Sequence, residues 1–276
     1  MMNESAQQHK QNIASIFSNA SDIYGKIGPA FFEYFGRKLV DYADINEGFN
    51  VLDIACGRGS SLFPAHKKIG ITGHITGIDI SPEMVKLSRS DAESRGLKNI
   101  SIVQMDAEEL NFPDESFDTV LSGFSLFFLP DLQKCLGEIK RVLKIRGMFA
   151  TTTWARRDEK LQYIRDLISS LLPGPYKNTQ NKIISLHSSE EIIGQFSIAG
   201  FNNVEIQYEA KEFYYKNEDE WFQSLYSHGM RSVMEKMNEL TLEIFKRDAF
   251  NFLSSIKNGN GIPEIFSVYY TKVFKD

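Results

Sequence analysis

The chain has 276 residues, 42% of them hydrophobic, and 31 Lys and Arg stand against 36 Asp and Glu, for a net charge of −5. That length and apolar content suit a globular core with room for a cap or lid, and the acidic balance argues against a nucleic-acid surface, which needs clustered cations. Two cysteines, Cys56 and Cys135, exclude a disulfide framework and cysteine metal spacing, and no apolar run reaches the length of a membrane span.

Residues Met1 to Asn12 are polar, without the apolar stretch of a secretory leader, so a cytoplasmic location is expected. A helix is predicted over Glu4 to Phe17, ending before the turn cluster Asn19-Ala20-Ser21-Asp22. A second follows Gly28-Pro29, with Phe31, Phe35 and Leu39 on one apolar stripe. Packing against a sheet is the plain reading of that stripe; the functional reading is a cap, residues 1–45, that closes over a ligand.

The core is predicted over residues 46–155. Val51 to Ile54 reads as a buried parallel strand, and it runs into Ala55-Cys56-Gly57-Arg58-Gly59, where two glycines let the backbone turn sharply into a helix. Such a turn presents backbone N–H groups to a carboxylate, a phosphate or a ribose edge. A dinucleotide fingerprint needs a third glycine where Leu62 stands. Asp53, inside the strand, would repel a pyrophosphate but can brace the loop or accept from an amine-bearing ligand.

A helix from Leu62 to Ile69 stops at Gly70, and a strand from His74 to Ile80 ends at Ser81-Pro82, a good helix cap and first residue. Asp79 therefore sits at a strand's carboxyl end, about 20 residues past the glycine loop, where a carboxylate can accept both hydroxyls of a ribose. The next helix ends near Gly96, and a strand from Ile100 to Met105 leads into Asp106-Ala107. The stretch Phe112-Pro113-Asp114-Glu115-Ser116-Phe117-Asp118 enters a strand from Thr119 to Ser122. Beyond Leu129-Pro130-Asp131, a helix carries Leu132, Leu136, Ile139 and Leu143 and ends at Gly147, and Met148 to Trp154 is the fifth strand. This alternation predicts an α/β fold, a doubly wound parallel sheet with ligands at the strands' carboxyl ends, where Asp53, Asp79, Asp106 and Ser122 all fall. The densest basic group, Lys140, Arg141, Lys144, Arg146, Arg156 and Arg157, reads as a solvated face.

Residues 156–276 are predicted to complete the core and carry a helical lid. A helix over Asp158 to Leu172 stops at Pro173-Gly174-Pro175, a loop reaches His187, and a helix follows over Ser188 to Ala199. Strands are expected over Asn203 to Tyr215 and Ile265 to Phe274, with helix inserted at about 217–258. His228, and behind it His187, are the candidate general bases, and Arg231 shares a helix face with His228, where a lid salt bridge is its plain reading.

Asp53-Ile54-Ala55-Cys56-Gly57-Arg58-Gly59, the Asp106-Ala107 pair and the L-x-F-P-D-x-S-F-D pattern closing on Leu129-Pro130-Asp131 resemble the class I, Rossmann-like S-adenosylmethionine-dependent methyltransferases, and most of all the ubiquinone and menaquinone biosynthesis branch. The resemblance covers Val51 to Trp154 and implies a seven-stranded, mostly parallel sheet with an antiparallel last strand. It implies S-adenosylmethionine as methyl donor, no metal, and a small-molecule acceptor methylated at O, N or C. Carried over residue by residue, it places Ala55, Gly57 and Gly59 in the donor loop and Asp79 on the ribose. Ile80 and Met84 lie beside the adenine, Asp106 and Ala107 on its amine and ring, and Ser122 beside the sulfonium. Tyr24 reaches the methionine carboxylate, while Phe124, Phe127 and Trp154, with His228 and Arg231 of the lid, face the acceptor. The 21 Phe and 11 Tyr, many around this mouth, point to an apolar or aromatic acceptor. The rival readings are a nucleotide-dependent oxidoreductase on a similar sheet and a non-catalytic S-adenosylmethionine-binding protein.

Overall fold

β1 (Asn50–Ile54) lies in the middle of the molecule because Val51, Leu52, Asp53 and Ile54 are all fully buried, the mark of a strand covered on both faces. A computed structural model of the chain describes residues 2–172 and 185–276. β1 pairs in parallel with β2 (His74–Asp79) and β4 (Phe117–Gly123), β2 with β3 (Ile100–Gln104), and β4 with β5 (Leu143–Trp154). β7 (Ile262–Phe274) runs antiparallel to both β5 and β6 (Glu205–Tyr215). The seven-stranded order is β3-β2-β1-β4-β5-β7-β6, with six strands pointing one way and the last reversed, as the family resemblance implies.

One face of the sheet is covered by α2 (Phe31–Tyr42) and α3 (Leu62–Ile69). Phe31, Phe35 and Leu39 project from α2 into a cluster with Val51, Leu121 and Ala150. Each such side chain stabilises the fold by roughly 1.5–3 kcal/mol, which fixes α2 on the sheet. α5 (Leu132–Val142) and α7 (Ser189–Ile198) cover the other face, with Leu136, Ile139 and Phe196 packed on Leu52, Val120 and Phe149. Between β6 and β7 lie α8 (Glu218–Ser224), α9 (Arg231–Met234) and α10 (Glu239–Ile256). With α6 (Gln162–Leu171) they share a third cluster built on Trp221, Phe222, Phe245 and Leu253. The helices inserted between β6 and β7 therefore share a core with α6 apart from the two clusters on the sheet. The predicted loop between Leu172 and His187 lies largely outside the described residues.

Several boundaries differ from the sequence reading. α1 (Met2–Ala20) continues through Asn19 because Ser21 closes it, both its N–H and its hydroxyl donating to the Ser18 carbonyl. α5 stops at Val142, not near Gly147. Glu115 and Ser116 donate to the carbonyls of Arg141 and Val142, so Leu143 is already strand and pairs with Phe117 before the register shifts. β7 starts at Ile262, because Ile262, Pro263 and Glu264 pair with Tyr215, Tyr214 and Phe213. The expected continuous lid helix is broken by a 3-10 turn over Leu225–Ser227.

Candidate active site

At the carboxyl ends of β1, β2, β3 and β4 lies a cavity of about 90 Å³ lined by Tyr24, Ala55, Gly57, Asp79, Ile80, Met84, Asp106, Ala107 and Phe124. Ala55 has φ 53° and Gly57 φ 50°, so the loop after β1 turns through left-handed conformations. Gly57 adopts this freely, whereas Ala55 carries strain of order 1–3 kcal/mol. The Cys56 N–H donates to the Ile78 carbonyl at 2.9 Å, which ties this loop to β2.

Asp79 is buried and holds the cavity floor. Its Oδ2 accepts from Gly57 N–H at 2.9 Å and its Oδ1 from Ser81 N–H at 2.9 Å, while Ser81 caps α4 (Pro82–Ser94). Burial pushes the Asp79 carboxyl up, against the opposing pull of these backbone donors. Asp53 lies one layer deeper and does not line the cavity. Its Oδ2 accepts from Ser61 Oγ at 2.7 Å, its Oδ1 is buried without a partner, and burial pushes its carboxyl up to about 7. Gly59, at φ 82°, also lies outside the cavity, where an added Cβ would meet Phe63 at 2.3 Å.

Asp106 faces the cavity with both oxygens engaged. Oδ1 accepts from Glu108 N–H at 2.9 Å, and Oδ2 accepts from Lys10 Nζ at 2.7 Å, a residue of α1. Ile13 and Phe17 of the same helix also line the cavity. The sequence reading missed these three, although residues 10, 13 and 17 share one helix face, a spacing visible in the sequence. It also missed Ser125 and Phe128, both of which reach the cavity.

On the β4–β5 side, Ser122 is fully buried and shares a short hydrogen bond with Ser125, so Ser125 stands between it and the cavity. Phe124, at φ 54°, stacks on Trp154 with centroids 4.0 Å apart. Phe31 and Phe32 each lie edge-on to Trp154, and of these four rings only Phe124 lines the cavity. Phe127 packs into the core rather than lining the cavity. His228 lies edge-on to Phe31 and Phe32, and its Nδ1 accepts from Met230 N–H at 3.3 Å. Burial lowers its pKa to about 4, so the ring is neutral and that hydrogen bond leaves the proton on Nε2. In this tautomer Nε2 is a donor, and proton abstraction would require the ring to turn over. His228 lies between the 3-10 turn and α9, so it shares no helix face with Arg231, which bonds Glu235 and the Asn19 carbonyl and so ties α9 to α1. His187 is exposed and bonds the Trp154 carbonyl.

Among the described residues no group of three or more His, Cys, Asp or Glu is placed to hold a metal ion, and no helix is long and apolar enough to cross a membrane.

A family model described as a methyltransferase domain matches residues 45–217. The chain is 39% identical over 165 residues to aklanonic acid methyltransferase DauC of Streptomyces sp. (strain C5), a match covering 60% of this chain and 75% of that one. It is 41% identical over 106 residues to a demethylmenaquinone methyltransferase of Listeria innocua, over 38% of this chain and 45% of the relative, so it spans less than half of that protein's length. The solved structure of YcgJ from Bacillus subtilis superposes with a TM-score of 0.60 at 21% identity, covering 88% of this chain and 98% of that one, a likeness of fold.

Proposed function

The chain belongs to the methyltransferase-domain family, and we propose that its cavity binds S-adenosylmethionine for methyl transfer to an apolar or aromatic small molecule. The observation that carries this reading is the meeting of Asp79, Asp106 and the Ala55–Gly57 backbone around one cavity.

The chemistry of the site suits that donor. Two carboxylates stand at neighbouring strand ends, as an adenosine needs for its ribose hydroxyls and exocyclic amine, and Ile80, Met84 and Leu129 supply apolar walls for a ring. The partnerless Asp53 Oδ1 lies beneath the loop, where a nearby cation would favour its ionised form. At about 90 Å³ the cavity is smaller than the roughly 300–1,000 Å³ of small-molecule sites, so entry of the donor requires α1 to swing out and Lys10 to release or share Asp106.

When bound, S-adenosylmethionine supplies an electrophilic methyl group on a sulfonium. This chain's residues then have three tasks. Asp79 takes the ribose, and Asp106 with the Ala107 N–H takes the adenine. Phe124, Trp154, Phe31 and Phe32 exclude water and hold an aromatic acceptor in line. His228, neutral and donating from Nε2, suits an acceptor oxygen that arrives already anionic and needs no base. The relatives named for aklanonic acid and demethylmenaquinone support a ring-bearing acceptor. Incubation with S-adenosylmethionine and a panel of phenols, quinols and aromatic acids, read by mass spectrometry, tests this. A product one methyl group heavier from at least one aromatic acceptor is expected; turnover confined to small, highly charged acceptors would contradict it.

A further inference from the structure

A second cavity, of about 580 Å³, lies on the other side of Tyr24, between the loop before α2 and the outer surfaces of α2, α3 and α4. Tyr24 lines both cavities and stacks on Phe32, centroids 5.0 Å apart and planes 19° from parallel, so this ring pair is the partition between them. Phe31 and Phe32 also line the second cavity.

Its walls are basic in an acidic protein. Arg37 pairs with Glu33, Lys68 with Asp41 and Arg58 with Asp91, so these cancel in charge. Three cations remain. Arg95 lies 4.0 Å over the Phe63 ring, and Lys26 and Lys67 have no ion pair or hydrogen bond among the described residues. Arg58 adds a buried Nε–H without an acceptor. A chain of net charge −5 thus carries a local excess of about three positive charges in one groove, which focuses field on an anion. The cations come from the loop, α3 and the residue that caps the end of α4, so their convergence is invisible as a run in the sequence.

We infer that this groove receives the acceptor, and that the acceptor is an aromatic molecule bearing an acidic group, carboxylate, sulfonate or phosphate. The ring lies against Phe31 and Phe32 and displaces the Tyr24–Phe32 stack to reach the donor cavity, while the acid faces Lys26, Lys67 and Arg95. The inference rests on the methyl-transfer reading for its purpose, but the groove's ligand chemistry is tested separately.

The probes are anilinonaphthalene sulfonate and its uncharged counterpart phenylnaphthylamine, titrated by fluorescence into the full chain, the Lys26→Glu/Lys67→Glu variant and the milder Lys26→Gln/Lys67→Gln variant. Neither lysine makes a bond that folding depends on. The sulfonate is expected to bind about tenfold more weakly to the Glu variant, with the Gln variant between, and its binding to the native chain is expected to weaken with salt. The neutral probe is expected to bind all three proteins alike. Equal sulfonate affinity in all three proteins, or parallel loss of the neutral probe, overturns the inference. S-adenosylhomocysteine is titrated into the same proteins. Its failure to bind even the native chain would remove the donor reading and leave the probe result standing, whereas unchanged binding in the variants isolates the groove.

Discussion

Lys10 Nζ stands 2.7 Å from Asp106 Oδ2 and 2.5 Å from Glu108 Oε2, so a residue of the first helix holds the carboxylate assigned to the adenine amine. All three side chains are mostly buried, and the cluster closes α1 over the donor cavity. Lys10→Met removes the latch while keeping its apolar stem. A pair of this kind is worth about 1 kcal/mol, so donor association followed by stopped-flow fluorescence is expected to speed up roughly three- to tenfold. An unchanged rate would mean that α1 opens without breaking this pair.

Asp79 joins the glycine loop to α4 through Gly57 N–H and Ser81 N–H. Asp79→Asn keeps the size and one acceptor but loses the charge. It is expected to weaken S-adenosylhomocysteine by more than about tenfold, the scale of one lost charge-assisted hydrogen bond. Melting temperature measured in parallel separates this from a folding defect. Near-native affinity would remove Asp79 from the ribose.

Asp53 gives a pH signature. Its folded-state pKa of about 7 lies above the ordinary aspartate value of 3.8, so below about pH 4 both states are protonated and there is no penalty. Between about pH 4 and 7 the unfolded chain ionises first, and native stability falls as pH rises. Above about pH 7 the loss is complete, on the order of 4 kcal/mol. Glu264, raised by burial to about 7, acts with the same sign. Asp53→Asn is therefore expected to raise the melting temperature at pH 8 and leave it nearly unchanged at pH 4. Equal effects at both values would contradict the assignment.

His228 is held neutral by burial, with a pKa of about 4. Imidazole NMR signals followed from pH 5.5 to 8 should show this ring silent. A midpoint near 6.5 would restore it as a base poised for catalysis. His228→Gln, which keeps a donor, is expected to retain more activity than His228→Ala.

The sheet was legible because its signals are local: the apolar run of β1, the Ser81-Pro82 helix start and the strand-end acids each lie within a few residues. The same locality placed Asp79, Asp106 and Ala107 around one cavity. What sequence could not supply was side-chain direction at close range. Ser122 and Ser125, three residues apart, exchange places, with Ser125 lining the cavity, and so do neighbours Phe127 and Phe128. Long-range contacts were hidden for another reason. Lys10 reaches Asp106 across 96 residues, and the basic groove assembles cations from separate elements. The end of α5 was misplaced because Leu143 continues the apolar stripe, while the donors that end the helix, Glu115 and Ser116, lie in another segment.

The most direct measurement is calorimetric titration of the chain with S-adenosylmethionine, S-adenosylhomocysteine and NADH in parallel. Binding of both adenosyl ligands, with no heat from NADH, is the expected result and would identify the cavity beside Asp79 and Asp106 as a methyl-donor site. Binding of NADH alone would contradict it, because the glycine loop would then serve a dinucleotide.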